Sequence, residues 1–366
     1  MKALSLVCIL VSVAVGGSQG QTVTSPPPAN VVFVPNPYGY FLEKHPRLPV
    51  LYLGCYGAAE SKNFATYPIG PDGGVNTNEV RAFNYFNEQP TNDLFRYQVA
   101  RPIVFPEERI LYLAAVPSYA QFFQHTNHQE IAAIALDDAG QPGKILKAIR
   151  TSHGEKEIRG WQFDAVTRRL YMSYHSYFGW IPIAKDGLPE SDRFTLLGAI
   201  QTCWQWTYVP AWRRFYARQT NGAFQLFKLA PDGQTTEYSQ VVAYFHRGGW
   251  NMDASERFRK VYILDTAENG HLVIYQLTPE GRFTSVPKFV PFGDAAGIRF
   301  DFKAGRLYAW NNKALLRIYA LDEQGELKGA PQLHALNCGA IRDLLIDEAG
   351  GTIYVACTEA PPPTQP

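Results

Sequence analysis

The stretch VYILDTAENGHLVIYQLTPEG, residues 261–281, decides how this chain folds. It opens on an apolar-aromatic-apolar run (Val261, Tyr262, Ile263), crosses a polar turn, resumes with apolar residues at Leu272 and Ile274, and stops at Glu280-Gly281. Period-two alternation bounded by turn residues is the signature of two β-strands and the bend after them. Neither strand can bury both faces alone, so the unit implies neighbours of its own kind.

Those neighbours are in the sequence. An apolar-Tyr pair recurs at Leu51-Tyr52, Leu111-Tyr112, Leu170-Tyr171, Phe215-Tyr216, Val261-Tyr262, Leu307-Tyr308 and Ile353-Tyr354, at spacings of 60, 59, 45, 46, 46 and 46 residues. Six of the seven copies keep the closing turn, at Asp72-Gly73, Gly140, Asp186-Gly187, Asp232-Gly233, Glu280-Gly281 and Gly325. Glycine there suits a tight bend that needs positive φ. A repeat of about 45 residues with strand signals and no helical period predicts a propeller blade. The expected fold is therefore all-β, a seven-bladed β-propeller of four-stranded antiparallel blades. Short apolar runs upstream of the pairs, such as Trp161-Gln162-Phe163 and Ile298-Arg299-Phe300, read as innermost strands, and residues 240–245 as an outer strand.

Composition agrees. A chain of 366 residues, 46% hydrophobic and 14% aromatic, can bury a large core in one closed array. A formal net charge of +1 gives no electrostatic case for nucleic acid or for an anionic membrane.

Residues 1–20 carry Lys2, an apolar stretch over 3–15 and the small-residue end Gly17-Ser18-Gln19-Gly20, the pattern of a cleaved secretory signal. Its apolar core is too short for a membrane span, so a secreted or periplasmic protein is expected. Residues 21–30 read as a proline-rich leader, 31–358 as the propeller and 359–366 as a proline-rich tail. Residues 31–34 form a strand with no partner in blade 1, while the chain runs out soon after Ile353-Tyr354. The last blade is thus either completed by the N-terminal strand or incomplete. Blades 1 and 2 are long, with extra residues after the Asp72-Gly73 turn and in 117–129, between the second and third strands of blade 2. That second insertion emerges on the face that also carries the connections between blades, where variable loops usually hold function.

Four cysteines follow the signal: Cys55, Cys203, Cys338 and Cys357. Cys55 and Cys357 hold equivalent places in neighbouring blades, but packed sheets lie roughly 10 Å apart, too far for a bridge. The cysteines are expected to be mostly free and buried.

Seven of the eight histidines fall toward the channel face. His125 and His128 have a spacing that suits metal ligands, and His153 or His175 on blade 3 could complete a divalent-metal site. The competing expectation is no cofactor, with solvated or hydrogen-bonded loop histidines. The inner strands supply a second set: Arg159, Trp161, Trp204, Arg247, Trp250, Asn251, Asp253, Arg299 and Arg342. Guanidinium groups grip carboxylate or phosphate bidentately and aromatic rings stack on apolar faces, which suits a small anionic or sugar-like ligand. The alternative is structural, with arginines neutralised in the core by Asp164, Asp253, Asp301 or Asp343.

The run Arg306-Leu307-Tyr308, followed by Ile318-Tyr319-Ala320-Leu321-Asp322-Glu323-Gln324-Gly325-Glu326-Leu327, resembles the seven-bladed propellers of the lactonase family, which includes bacterial 6-phosphogluconolactonase and the muconate cycloisomerases. The likeness covers most of the chain, best over blades 4 to 6, and rests on strand and turn positions. It implies the fold, and it implies histidine, arginine and glutamate at the channel, with proline-histidine pairs leading the inner strands. Here those places read Ala100-Arg101-Pro102, Gly160-Trp161 and Gly249-Trp250, so no catalytic residue carries over.

Two readings follow. In the first, an exported propeller binds a ligand or a protein partner on its channel face without chemistry, as the missing family pairs and the lack of a nucleophile elbow suggest. In the second, it hydrolyses a lactone or related carboxylate-bearing ester, with His153 or His246 as general base and Arg247 or Arg299 holding the substrate carboxylate.

Overall fold

The computed structural model describes residues 30–35, 39–55, 64–83, 85, 97–99, 101–117, 129–151, 160–173, 178–192, 194–197, 203–219, 223–242, 251–266, 270–284, 286–336, 338–348 and 351–358. Seven sheets stand around an axis. Their innermost strands are Gly39–Lys44, Ile103–Phe105, Gly160–Asp164, Cys203–Val209, Met252–Ser255, Gly297–Asp301 and Ile341–Asp347, blades 1 to 7 in chain order. The Tyr-bearing strands come second: Val50–Cys55, Ile110–Pro117, Arg169–Ser173, Arg214–Gln219, Lys260–Asp265, Arg306–Trp310 and Thr352–Cys357. The outer strand of blade 4 is Thr235–Val242, which starts earlier than the 240–245 expected from the sequence; residues 243–245 lie outside the described residues.

The apolar-Tyr-apolar run now has a physical explanation. A second strand is covered on both faces, so alternate residues must feed two different interfaces. In blade 5, Val261 and Ile263 pack against blade 4, while Tyr262 and Leu264 pack against blade 6, all with no exposed surface. Seven separate apolar clusters result, each between two adjacent blades, and one of them joins Tyr354 of blade 7 to Leu51 and Leu53 of blade 1.

The two repeated signals, tyrosine and glycine turn, turn out to be partners. The Tyr52 hydroxyl donates to the Gly140 carbonyl of the next blade at 2.7 Å, Tyr112 to Gly187 at 2.6 Å, Tyr216 to Gly281 at 2.7 Å and Tyr262 to Gly325 at 2.9 Å. Each of these glycines has φ between 74° and 82°. Blade 3 departs from the pattern, because Arg169 occupies the blade 4 turn, donating to the carbonyls of Pro231 and Asp232.

Among the described residues blade 7 has three strands. The N-terminal strand Asn30–Pro35 fills the place of a third strand and pairs with Thr352–Cys357 in parallel, Val31 opposite Ile353. The N-terminal strand thus closes the ring, and this one blade is not wholly antiparallel. Part of the extra length of blade 1 forms a 3-10 turn, Thr77–Glu79, and a short strand, Tyr97–Val99. That strand pairs with the far end of Ile110–Pro117 and so prolongs the innermost line of blade 2. Among the described residues no helix is long and apolar enough to cross a membrane.

Candidate functional site

The channel is lined by innermost strands, and four of them are irregular where they begin. One extra residue interrupts the pairing at Tyr40 in blade 1, Trp204 in blade 4 and Arg342 in blade 7. In blade 2 the register slips by one between Val99, opposite Ala115, and Ile103, opposite Tyr112. Pro102 lies in that gap and has no N–H to offer a ladder. Bulges turn side chains away from their regular direction. These irregular starts, with the regular positions opposite Tyr52, Tyr262 and Tyr308, bring together a charged cluster drawn from blades 1, 2, 5, 6 and 7.

Asp343, directly after the Arg342 bulge, is its hub. Its carboxylate accepts from Arg101 of blade 2 at 2.6 Å, from Arg299 of blade 6 at 3.0 Å and from the Leu42 N–H of blade 1 at 3.0 Å. Arg101 also lies 3.8 Å from Glu43, and Arg299 donates to the Leu344 carbonyl at 3.3 Å. The Asp343 side chain is 4% exposed, against 28% for Arg299 and 29% for both Arg101 and Glu43. The last three are therefore only partly enclosed, while Asp343 is buried.

That enclosure governs their protonation. Burial pushes Asp253 up to about 6, against the pull of the Ala254 N–H and the charges of Arg299 and Arg101. Burial also raises Glu43, with Arg101 opposing. Arg299 is lowered, first by desolvation and then by the like charge of Arg101. A carboxylate titrating near neutrality beside two guanidinium groups can take a proton from water while the guanidiniums stabilise developing negative charge.

The residues expected from the sequence divide into four groups. Asp253 and Arg299 belong to the cluster. Trp161 and Asn251 are clamps between blades: the Trp161 indole N–H donates to the Arg101 carbonyl at 2.5 Å, and the Asn251 side-chain oxygen accepts from the Ile298 N–H at 3.3 Å. Arg342 is the exposed extra residue of its bulge, as Trp204 is the extra residue in blade 4. His125, His128, His153, Arg159, His175, His246, Arg247 and Trp250 lie outside the described residues. Among the described residues no three metal-ligating side chains come together. Arg299, expected to hold a substrate carboxylate, donates through Nη2 to Asp343 and through Nε to the Leu344 carbonyl. Asp164 and Asp301 serve turns, Asp164 capping the Val166 N–H and accepting from Thr167 and Tyr208, and Asp301 capping the Ala304 N–H.

Glu43 and Arg101 were not anticipated as site residues. Arg101 had a signal, since an arginine at the start of an inner strand repeats the placing of Arg159 and Arg247. Glu43 had one in the repeat: it stands nine residues before Tyr52, as Asp253 does before Tyr262 and Arg299 before Tyr308.

The fold and cluster define a seven-bladed propeller with a charged channel. No protein-family model and no curated protein matches the chain. Solved structures do share the fold. A protein of Bacteroides uniformis described as a candidate 6-phosphogluconolactonase aligns over 80% of this chain and 87% of its own, at 13% identity and a TM-score of 0.59. A periplasmic gluconolactonase of Pseudomonas aeruginosa aligns over 81% and 85%, at 12% identity and 0.59. A Lactobacillus plantarum protein aligns over 87% of both chains, at 10% identity and 0.60.

Proposed function

We propose that this chain is a lactonase-like hydrolase of a polyhydroxylated sugar lactone, with Asp253 as the general base. The observation that carries the reading is the charged channel cluster, where Asp343 gathers Arg101 at 2.6 Å and Arg299 at 3.0 Å and burial raises the Asp253 carboxyl in their field. Ionised Asp253 takes a proton from water, and the water oxygen adds to the lactone carbonyl. The guanidinium groups stabilise the resulting oxyanion. The tetrahedral species collapses with cleavage of the ring C–O bond, and the proton on Asp253 passes to the leaving alkoxide. Lactone plus water gives the open hydroxy acid, and the base is regenerated.

Charge indicates which lactone. In the described cluster three carboxylates, Glu43, Asp253 and Asp343, face two guanidiniums, both already bonded to Asp343. Little positive charge is left over for a phosphate, whereas the hydroxyls of a neutral sugar lactone can bond to carboxylates and guanidiniums alike. Two fold neighbours described as lactonases support the reaction class, and one described as periplasmic is in keeping with export of this chain.

The test is proton release from gluconolactone in weak buffer, with spontaneous hydrolysis subtracted. Turnover is expected, slower on the 6-phosphorylated lactone, and reduced at least about 100-fold in Asp253→Asn with the fold retained. Rates at background on both lactones, with calorimetric binding of the hydroxy acid, would leave a ligand-binding propeller instead. Full turnover in Asp253→Asn would move the base to His153 or His246.

A further inference from the structure

We propose that Cys338 and Cys357 form a disulfide that fastens the end of blade 7 to the segment leading into its innermost strand. Neither is in a disulfide in this structure; Cys357 is buried and Cys338 half-buried, and both pack in the apolar cluster between blades 6 and 7. Their side chains are hydrogen-bonded to each other. The backbone around them is tied as well: the Gly339 N–H donates to the Thr358 carbonyl and the Thr358 N–H to the Ala340 carbonyl, each at 2.9 Å, and Ile341 lies opposite Cys357 in the sheet. Thiols held in contact need only a small side-chain rotation to reach a disulfide bond of about 2.05 Å.

The chemistry follows from the difference between the two. Hydrogen bonding from Cys357 lowers the Cys338 pKa, and its partial exposure lets a reagent approach. The Cys338 thiolate attacks a small-molecule or protein disulfide, forming a mixed disulfide and releasing one thiolate. The Cys357 thiolate then attacks the Cys338 sulfur and displaces the second. Two protons and two electrons pass to the oxidant, which leaves as two thiols.

The position gives the bond a purpose. Among the described residues blade 7 has three strands, and the second of them ends at Cys357. A bridge from 338 to 357 encloses the whole hairpin Ile341–Asp347 and Thr352–Cys357, including Asp343, on which the channel guanidiniums converge. Closing that loop removes conformations from the unfolded chain. It also fixes the segment immediately before the Arg342 bulge.

Trypsin cuts after Lys328 and Arg342, so the two cysteines fall in separate peptides, 329–342 and 343–366. Purified protein is incubated with oxidised glutathione at pH 8, blocked with iodoacetamide and digested without reduction. The expected product is a linked pair two hydrogens lighter than the sum of the peptides, lost on adding dithiothreitol. In Cys357→Ser, glutathione should stay attached to Cys338. Recovery of the two wild-type peptides separately, alkylated or glutathionylated, overturns the proposal. A second measurement is thermal: dithiothreitol should lower the Tm of the oxidised wild type by about 5 °C and leave Cys338→Ser/Cys357→Ser unchanged. A wild-type Tm indifferent to dithiothreitol also overturns it. Neither readout depends on lactone turnover.

Discussion

The hydroxyl of Tyr354 in the last blade donates to the carbonyl of Gly73 in the first, at 3.1 Å and across 281 positions of sequence. It is the bond that Tyr52, Tyr112, Tyr216 and Tyr262 make to the glycine turn of the blade that follows each of them. The ring therefore closes by the repeat's own rule as well as by the N-terminal strand. Removing such a hydroxyl leaves a buried carbonyl without its donor, a loss of about 1–2 kcal/mol. Tyr112→Phe should show it in full, since its bond is 2.6 Å long and buried. Tyr354→Phe should cost less, because its bond is only partly buried and borders a groove that admits water. Thermal unfolding of the two variants checks the order, and a larger loss at Tyr354 would contradict it.

The glycine side of the same contact yields a second prediction. At Gly281, φ is 79° and an added Cβ would meet the Tyr216 hydroxyl at 2.7 Å and the Trp212 ring at 2.8 Å. At Gly351, φ is 62° and nothing lies within 4 Å. Both alanine variants carry left-handed strain of about 1 kcal/mol. Gly281→Ala adds a clash that forces the two aromatics apart, for a total of about 3 kcal/mol or more. Its Tm should fall several degrees further than that of Gly351→Ala; equal losses would mean that backbone strain alone decides.

Much of the architecture was legible because it is periodic. Tyr262 and Gly281 recur by repetition, and repetition needs no three-dimensional knowledge to be seen. Their pairing was not legible, since a sequence does not say that a tyrosine reaches the glycine of the following blade. The left-handed residue before the second strand was hidden too: glycine serves at Gly305 and Gly351, but arginine at Arg109, Arg168, Arg213 and Arg259. Arg168 and Arg213 each donate to the carbonyl that opens their own blade's glycine turn, Ala184 at 2.5 Å and Ala230 at 2.6 Å. The channel was the hardest part. Arg101 meets Asp343 only because a ring brings residues 242 positions apart together, and because slipped or bulged strands aim them at the axis.

The hub of the cluster should behave as a unit. Asp343→Asn keeps the shape and removes the charge that holds Arg101 and Arg299, leaving two guanidiniums of like sign in an enclosed space. Breaking a buried pair from one side costs about 3–5 kcal/mol. Arg101→Gln in the Asp343→Asn background should restore part of that stability, because one unpaired charge goes. Strict additivity of the two losses in a double-mutant cycle would show that the three residues do not share one network.

Asp253 should trade stability for reactivity, and pH reads the trade. Burial raises its folded pKa to about 6, above the ordinary aspartate range of about 4, so the native protein binds the extra proton more tightly than the unfolded chain does. The stabilisation is present in full below about pH 4 and is lost as pH rises through about 6. Asp253→Asn has no such group, while Glu43, raised by burial in the same channel, is common to both proteins and cancels in the comparison. The difference in stability, variant minus wild type, should therefore grow between pH 4.5 and 7.5 toward a ceiling of about 3 kcal/mol. On gluconolactone the wild-type rate should rise with pH through an inflection near 6, where the base ionises, and the variant should lose that limb with its activity. A stability difference that stays flat across this range would mean that Asp253 is an ordinary exposed carboxylate, with no special claim to be the base.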